Sequence, residues 1–240
     1  MDLSIIIPVY NERTKISRDI QEASEFLVEN NLVGEIIVVD DGSTDGTAEV
    51  AEKTKTPAEV SLRIFRYEIN RGKGYAVRFG MIHSQGEWAM FADSGSCVPF
   101  RYILTGLQLI KSGECDIAHG SRKLKASIIH RPQKWPRRLF SWIFRWVIIL
   151  WLKVPAHLTD TQCGFKVYSG SLARQLYAGS VIDGLMFDVE VILRAKVKGL
   201  RIKEFPIEWT SDPDSRISLI KNAWPVLKEL YLLRKMPLAD

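Results

Sequence analysis

The most constraining feature of this chain is a regular alternation of short apolar runs and amphipathic segments over its first half. The apolar runs, which predict strands, span 3–9, 35–40, 61–67, 87–92 and 116–119. The segments between them predict helices at about 13–30, 43–54, 71–84 and 99–111. Apolar runs without polar alternation are typical of strands buried on both faces, as in a parallel sheet covered by helices. The sequence therefore predicts an α/β fold with a Rossmann-like, mainly parallel central sheet.

The regular pattern stops after residue 121. It is followed by a segment rich in Trp and Arg, a turn-rich stretch at 159–169, a helical pattern at 187–198, a strand-like run at 201–206 and a helical tail. We find no linker and no internal repeat, so we expect one domain over 1–240, with a regular half at 1–121 and an elaborated half at 122–240.

Positive charge is concentrated in one segment. The chain has 33 Lys and Arg against 28 Asp and Glu, a net charge of +5, yet residues 117–159 include no acidic residue. This segment contains nine basic residues: Arg122, Lys123, Lys125, Arg131, Lys134, Arg137, Arg138, Arg145 and Lys153. It also contains four of the seven tryptophans: Trp135, Trp142, Trp146 and Trp151.

The apolar residues of this basic segment follow a helical spacing. Trp135, Leu139, Trp142, Trp146 and Ile149 recur at alternating steps of four and three, which places them on one helical face. Trp and cations without acids are typical of a helix at an anionic membrane surface. The longest apolar run, 146–152, is far shorter than the roughly 20 residues that span a bilayer. We expect amphipathic interface helices and peripheral attachment. The alternative is a helix packed on the domain with solvated basic residues.

Several features bear on the compartment and the partners. The chain begins on a strand-like run without a basic or apolar leader, so we expect no signal peptide. Its three cysteines, Cys97, Cys115 and Cys163, are far apart, which excludes a disulfide framework and favours a reducing compartment. We expect a protein attached to the cytoplasmic face of a membrane. Basic residues mixed with Trp also occur in nucleic-acid-binding proteins, but no RNA-binding motif is present and no such partner is expected.

Acidic side chains follow several predicted strands. Glu12 comes after the first strand, Asp40 and Asp41 end the second, and Asp93 follows the fourth. Ligands of open parallel sheets bind beyond the carboxyl ends of the strands, where these residues meet. Clustered carboxylates repel each other unless a cation neutralises them, and oxygen ligands together with phosphates suit Mg²⁺ or Mn²⁺. The sequence therefore predicts a divalent-metal and phosphate site at this edge.

Two other patterns point to phosphate. Arg71-Gly-Lys-Gly74 opens a predicted helix, where backbone N–H groups and Lys73 can bind phosphate, although the spacing matches neither a P-loop nor a dinucleotide-binding motif. Arg137 and Ser141 lie four residues apart in the Trp-bearing segment, so their side chains can converge on one point beside its apolar face.

Motifs along nearly the whole chain, up to about Ser218, resemble those of inverting glycosyltransferases of family 2, which have the GT-A fold. These motifs are Ile6–Glu12 (IIPVYNE), Val39–Asp45 (VDDGSTD), Asn70–Gly74 (NRGKG), Ala92-Asp93 and Gly120-Ser-Arg122. Three others are similar to the branch that glycosylates polyprenyl phosphates, dolichyl-phosphate β-glucosyltransferases in particular: Asp160–Lys166 (DTQCGFK), Phe187–Glu190 (FDVE) and Glu204–Ile207 (EFPI).

The resemblance implies a donor site in the first half, which would bind the nucleotide. The residues that would line the nucleotide pocket are Pro8, Tyr10, Glu12 and Asp41, with Asp41 in contact with the nucleotide base. Asp93 would be the metal-binding Asp of the family's DxD motif, whose first position here is Phe91 in place of the usual Asp. Arg216 would approach the donor diphosphate from the second half.

The resemblance also implies an acceptor site in the second half, which would face the membrane. Arg122, Arg137 and Ser141 would hold the acceptor phosphate. The implied reaction is the inverting transfer of a hexose from a nucleotide diphosphate sugar, UDP-glucose in our expectation, to a polyprenyl or dolichyl phosphate. A GDP-mannose-dependent mannosyltransferase and a non-catalytic relative that binds lipid or nucleotide are the alternatives.

Overall fold

A seven-stranded sheet forms the centre of the fold. The computed structural model describes residues 1–131, 135–211 and 219–236, without the side chains of 131, 135–140 and 219–222. In chain order the elements are β1 (Leu3–Val9), α1 (Ile16–Glu29), β2 (Gly34–Asp40), α2 (Thr47–Lys53), β3 (Val60–Arg66), α3 (Lys73–His83), β4 (Trp88–Ala92), α4 (Tyr102–Lys111), β5 (Ile117–Ser121), β6 (Ile128–Arg131), α5 (Trp135–Leu152), β7 (Phe165–Ser169), α6 (Gly170–Ala178), α7 (Phe187–Val197), β8 (Ile202–Pro206), β9 (Glu208–Thr210) and α8 (Leu219–Lys235).

The strands of the central sheet are ordered β3-β2-β1-β4-β7-β5-β8. Strand β7 is antiparallel to both of its neighbours, β4 and β5, and the other neighbouring pairs are parallel. The expected α/β fold with a mainly parallel central sheet is therefore confirmed. Strands β6 and β9 form a separate parallel pair.

Strand β7 corrects the sequence analysis, which assigned 159–169 to turns. Gly164 precedes this five-residue strand and Gly170 follows it, and so short a run between glycines gives no periodic signal. Because β7 pairs with both β4 and β5, it lies between two strands that follow each other in the chain. The carboxyl ends of β4 and β5 remain on the same edge, on either side of the start of β7.

Helices cover both faces of the sheet because its central strands are apolar on both. All seven residues of β1 are buried, and its successive side chains enter opposite cores. Ile5 packs with Phe26 of α1 and Ile103 of α4 on one face. Ile6 packs with residues of α3, α6 and α7, such as Val77, on the other face.

Helices α5 and α8 contact each other and carry an exposed apolar surface. On α5 this surface includes Trp142, Ile143, Trp146, Val147, Leu150 and Trp151, and on α8 it includes Trp224, Leu227, Tyr231 and Leu232. Ile148 and Leu152, also on α5, are buried in the core, so α5 packs on the domain with one side and leaves Trp142 and Trp146 of the predicted face exposed. The expected helix is confirmed, and its place at a membrane interface stays a prediction. Within the described ranges, the helices lack the combination of length and apolarity needed to cross a bilayer.

Phe91 lies in the core and not at a metal site. Its side chain is fully buried, and its ring centroid is 5.6 Å from that of Phe187. Nζ of Lys166 lies 5.4 Å from the same ring centroid. The residue two positions beyond Asp93 is Gly95, which offers no side-chain ligand. Asp93 therefore has no carboxylate partner at either position two residues away.

This packing predicts that Phe91→Asp unfolds the protein more easily and does not improve metal binding. The variant loses the buried ring and places a carboxylate in the core, so we expect the free energy of unfolding to fall by at least about 4 kcal/mol in urea titrations. Phe91→Leu, which keeps an apolar side chain, should lose about 1–2 kcal/mol. A stable Phe91→Asp protein that needs less metal would place Phe91 at the site instead.

Candidate active site

Asp93 and Lys73 form an ion pair at the edge of the sheet where the parallel strands end. Asp93 directly follows β4, and its Oδ1 atom lies 2.5 Å from Nζ of Lys73, the first residue of α3. The side chains of Asp93 and Lys73 are 38% and 26% exposed, although the Oδ1 atom of Asp93 that faces Lys73 is itself buried. The N–H of Asp93 donates to the carbonyl oxygen of Gly164 at 3.0 Å. The structure thus brings together two of the predicted site residues.

A second, buried ion pair holds the turn before β7. Nζ of Lys166 lies 2.5 Å from Oδ1 of Asp188, the second residue of α7, and both side chains are almost inaccessible. The same ammonium donates to the carbonyl oxygens of Thr161 and Cys163 at 3.1 and 2.9 Å. A buried lysine is tolerated when its charge and its donors are satisfied in this way. The turn that ends at Gly164 is therefore fixed from within the core.

Asp41 holds the loop that leads into α3. Its Oδ1 atom accepts the N–H of Arg71 at 2.7 Å, and its Oδ2 atom accepts the N–H of Gly72 and the side-chain amide of Asn70, both at 2.9 Å. Burial raises the pKa of Asp41, and the hydrogen bonds oppose that shift. Asp41 thus fixes the backbone that carries Lys73. Its predicted contact with the nucleotide base stays a prediction.

The other predicted donor residues lie around the ends of β1 and β2. Pro8 is buried within β1, whereas Tyr10 directly follows it and is 41% exposed. The Oε2 atom of Glu12 lies 3.0 Å from Nζ of Lys15. Asp40 is fully buried, and its Oδ1 atom accepts the N–H of Ser43 at 2.9 Å, so it shapes the turn after β2.

Arg122, the residue after β5, is held in a fixed orientation by Asp160. Its Nε and Nη2 atoms donate to the two carboxylate oxygens of Asp160, each at 2.7 Å. Burial disfavours the charged form of Asp160, but the Arg122 guanidinium outweighs this cost and holds the pKa of Asp160 below its usual range. Glu204 accepts the backbone N–H groups of Thr159 and Asp160 at 2.6–2.9 Å. The guanidinium plane is therefore preorganised by a bidentate pair.

Lys123 is a residue of this region to which the sequence analysis gave no role. Its Nζ atom donates to Oγ of Ser141 on α5 at 2.8 Å, which links the end of β5 to the Trp-bearing helix. Burial lowers the pKa of Lys123; the Asp160 carboxylate opposes this shift, and the Arg122 and Arg145 charges add to it. Arg122 and Lys123 thus bring two positive charges to the single carboxylate of Asp160, an excess of positive charge that favours an anion. The sequence signal that could have identified Lys123 is its position within 117–159, the segment that contains no acidic residue.

The side chains of two predicted site residues lie outside the part of the chain that the structure describes. Arg137 belongs to α5, but its side chain lies outside the described residues, and Arg216 lies in 212–218, also outside them. Ser141, one helical turn from Arg137, is described and contacts Lys123. The predicted convergence of Arg122, Arg137 and Ser141 on one phosphate stays a prediction.

The residues around Asp93 fit a divalent ion that is shared with a diphosphate. Mg²⁺ is usually held by one or two carboxylates, substrate phosphates and water, and a complete protein cage is not required. Across the described ranges, three or more His, Cys, Asp or Glu side chains nowhere come together as a cage. Asp93 offers one solvent-accessible carboxylate, and Lys73 offers a cation for phosphate beside it. Asp93 would hold the ion, which would neutralise charge on a leaving diphosphate.

The position of Gly164 generates a prediction about Asp93. A Cβ atom on Gly164 would overlap the Asp93 carboxylate, which would have to move. We expect Gly164→Ala to weaken metal-dependent binding of UDP by at least about tenfold, because displacement of a binding group by about 1 Å carries a large cost. Calorimetry with Mn²⁺ and UDP measures the loss.

The matched control for this experiment is Gly113→Ala, in the loop between α4 and β5, where the new methyl group would have no atom within 4 Å and the φ of +74° would affect stability alone. It should bind UDP and Mn²⁺ like the wild type. Undiminished binding in Gly164→Ala would show that the Asp93 carboxylate does not need its present position.

Comparisons with known proteins test the family resemblance. The model of the family described as "Glycosyl transferase family 2" matches residues 4–177. A dolichyl-phosphate beta-glucosyltransferase of Saccharomyces cerevisiae is 30% identical over 256 residues, covering 97% of this chain and 74% of the relative. The enzyme of the same name from Homo sapiens is 30% identical over 245 residues, with the same coverage.

Solved structures show the same fold. Glucosyl-3-phosphoglycerate synthase from Mycobacterium tuberculosis, crystallised with Mn²⁺ and UDP-glucose, matches with a TM-score of 0.72. The match covers 97% of this chain and 78% of that chain at 17% sequence identity. The GT-A fold implied by the motifs is confirmed, and so is the resemblance on which it rested. This chain belongs to glycosyl transferase family 2.

Proposed function

We propose that this protein transfers glucose from UDP-glucose to a polyprenyl or dolichyl phosphate at an anionic membrane surface, with inversion at the anomeric carbon. The names of its relatives support the acceptor and the sugar. The observation that carries the proposal is the hydrogen bond between Lys123 and Ser141. It joins a cationic cluster at the sheet edge to a helix whose tryptophans are exposed, and a lipid phosphate needs both features.

The acceptor side is suited to a phosphate monoester. Such a group is ionised near neutral pH, so its oxygen can attack without a base to deprotonate it. Arg122, oriented by Asp160, and Lys123, placed against Ser141, supply positive charge where the phosphate would lie. Arg137 would add a planar guanidinium from the same helix as Ser141. These residues would hold the nucleophile in line with the anomeric carbon.

The donor side is suited to a nucleoside diphosphate. The carboxyl ends of β1, β2 and β4 form one edge, with Tyr10 and Asp41 beside the proposed nucleotide and Asp93 beside its phosphates. Direct displacement forms one bond from the acceptor oxygen to the anomeric carbon and breaks the bond to the diphosphate, which inverts the configuration. Lys73 and Arg216 would neutralise the leaving diphosphate together with Mg²⁺ or Mn²⁺.

The proposal predicts transfer from UDP-glucose to dolichyl phosphate by the purified protein in the presence of Mg²⁺ or Mn²⁺. Radiolabelled UDP-glucose and GDP-mannose are compared as donors, and the labelled lipid is extracted and quantified. We expect UDP-glucose to be preferred, and Asp93→Ala to lower transfer by at least about a hundredfold, because the carboxylate that would hold the metal is lost.

The control variant is Asp116→Ala, whose carboxylate pairs with Arg201 beside the start of β5, away from the site. It should keep wild-type transfer. Transfer from GDP-mannose in place of UDP-glucose would assign a mannosyltransferase. Binding of UDP or lipid without transfer from either donor would identify a non-catalytic relative and contradict the proposal.

Membrane attachment is predicted to be peripheral and sensitive to salt. Basic residues near an anionic surface contribute about 1 kcal/mol each, and salt screens this attraction. Trp142→Glu with Trp146→Glu should release the protein from vesicles that contain anionic lipid, as measured by co-sedimentation, because both side chains are exposed on α5.

Val28→Glu with Val33→Glu adds the same charge at exposed apolar positions in and after α1 and should leave vesicle binding nearly unchanged. If the Trp142 and Trp146 variant sediments with vesicles as well as the wild type does, even in high salt, α5 is not the membrane contact.

A further inference from the structure

We infer that Lys73 is the counter-cation of Asp93 in the absence of ligands. Lys73 releases the Asp93 carboxylate to a divalent ion when a nucleoside diphosphate binds. The inference rests on the proposed function for the identity of the donor. Its consequence is that the protein favours the metal and the diphosphate together over either one alone.

The ammonium of Lys73 contacts a carboxylate oxygen of Asp93 that a metal ion would need as a ligand. Nζ lies 2.5 Å from Oδ1 of Asp93, and Oδ1 makes no hydrogen bond of regular geometry within the described part of the chain. A divalent ion bound to Asp93 would therefore meet a positive charge a few ångströms away, and like charges at that separation repel strongly near a protein surface. Asp93 is protected from binding a metal by itself.

The backbone that carries Lys73 is fixed, so an exchange can involve the side chain alone. Gly72 has a φ of +108°, and a Cβ atom there would lie 2.5 Å from the carbonyl oxygen of Asp183. A Cβ atom on Gly74 would lie 2.5 Å from the carbonyl oxygen of Ile182. Asp41 binds the N–H groups that precede Lys73. The two glycines permit this close packing, and the start of α3 cannot shift as a unit without breaking it.

The lysine side chain itself can move. Its flexible stem carries a point charge, and the side chain is partly exposed. This distinguishes the pair from Lys166 and Asp188, which are almost inaccessible and whose ammonium also binds two carbonyl oxygens. The pair of Lys166 and Asp188 therefore stays closed, whereas the pair of Lys73 and Asp93 can open toward solvent.

A diphosphate changes the balance of charge at the pair. Without it, a metal at Asp93 repels Lys73. Without a metal, a diphosphate that attracts Lys73 leaves the Asp93 carboxylate facing another anion. When both arrive, the metal takes Asp93 and Lys73 takes a phosphate oxygen, so each charge has an opposite partner. The free energy of coupling between the two ligands is reciprocal, so each raises the affinity of the other by the same factor.

The test measures binding of Mn²⁺ and of UDP, each alone and both together, by electron paramagnetic resonance and calorimetry. The proteins are the wild type, Lys73→Met and, as a matched control, Lys203→Met, which removes an exposed ion pair with Glu114 on the far edge of the sheet. We expect Lys73→Met to bind Mn²⁺ alone at least about tenfold more tightly and UDP alone at least about tenfold more weakly. Lys203→Met should change neither affinity.

The opposite signs of these two changes are diagnostic. If Lys73 only positions the carboxylate, both affinities fall in Lys73→Met; if it is only a phosphate ligand, the affinity for Mn²⁺ alone does not change. Either result overturns the inference, while transfer of glucose by the wild type would leave the proposed function standing. A wild type that binds neither Mn²⁺ nor UDP would overturn both.

Discussion

The pairing of β7 between β4 and β5 is the constraint on which the rest of the site depends. It joins the two strands whose ends carry Asp93 and Arg122. The turn before β7 touches both residues, since Gly164 accepts the N–H of Asp93 and Asp160 binds the guanidinium of Arg122. One short antiparallel strand thus sets the distance between the side of the site proposed for the donor and the side proposed for the acceptor.

Buried charged side chains hold the turn before β7 in place. Lys166 and Asp188 lie in the core, where an unpaired charge would be strongly destabilising, and the ammonium also satisfies two carbonyl oxygens. Glu204 gives the turn a second anchor from β8. The site is therefore supported from two sides by buried polar groups, while the ion pair of Lys73 and Asp93 stays accessible.

The second half of the chain adds a surface that differs from the first half in charge and in exposure. Helices α5 and α8 lie side by side with large apolar side chains uncovered, and Lys123 connects α5 to the sheet edge through Ser141. A polar site and an apolar surface are thus adjacent. This proximity is what a reaction between a water-soluble donor and a lipid-borne phosphate would require.

The sequence by itself determined the strands and helices of the first half and the residues at the strand ends, because run length and periodicity are local properties. It also determined the amphipathic helix α5 and, through its motifs, the family. Tertiary structure alone decided that 165–169 is a strand, that Phe91 points into the core and that Lys123 meets Ser141. It also decided that Lys73 pairs with Asp93. These facts depend on contacts between residues 18 to more than 70 positions apart, and no local pattern encodes such pairing.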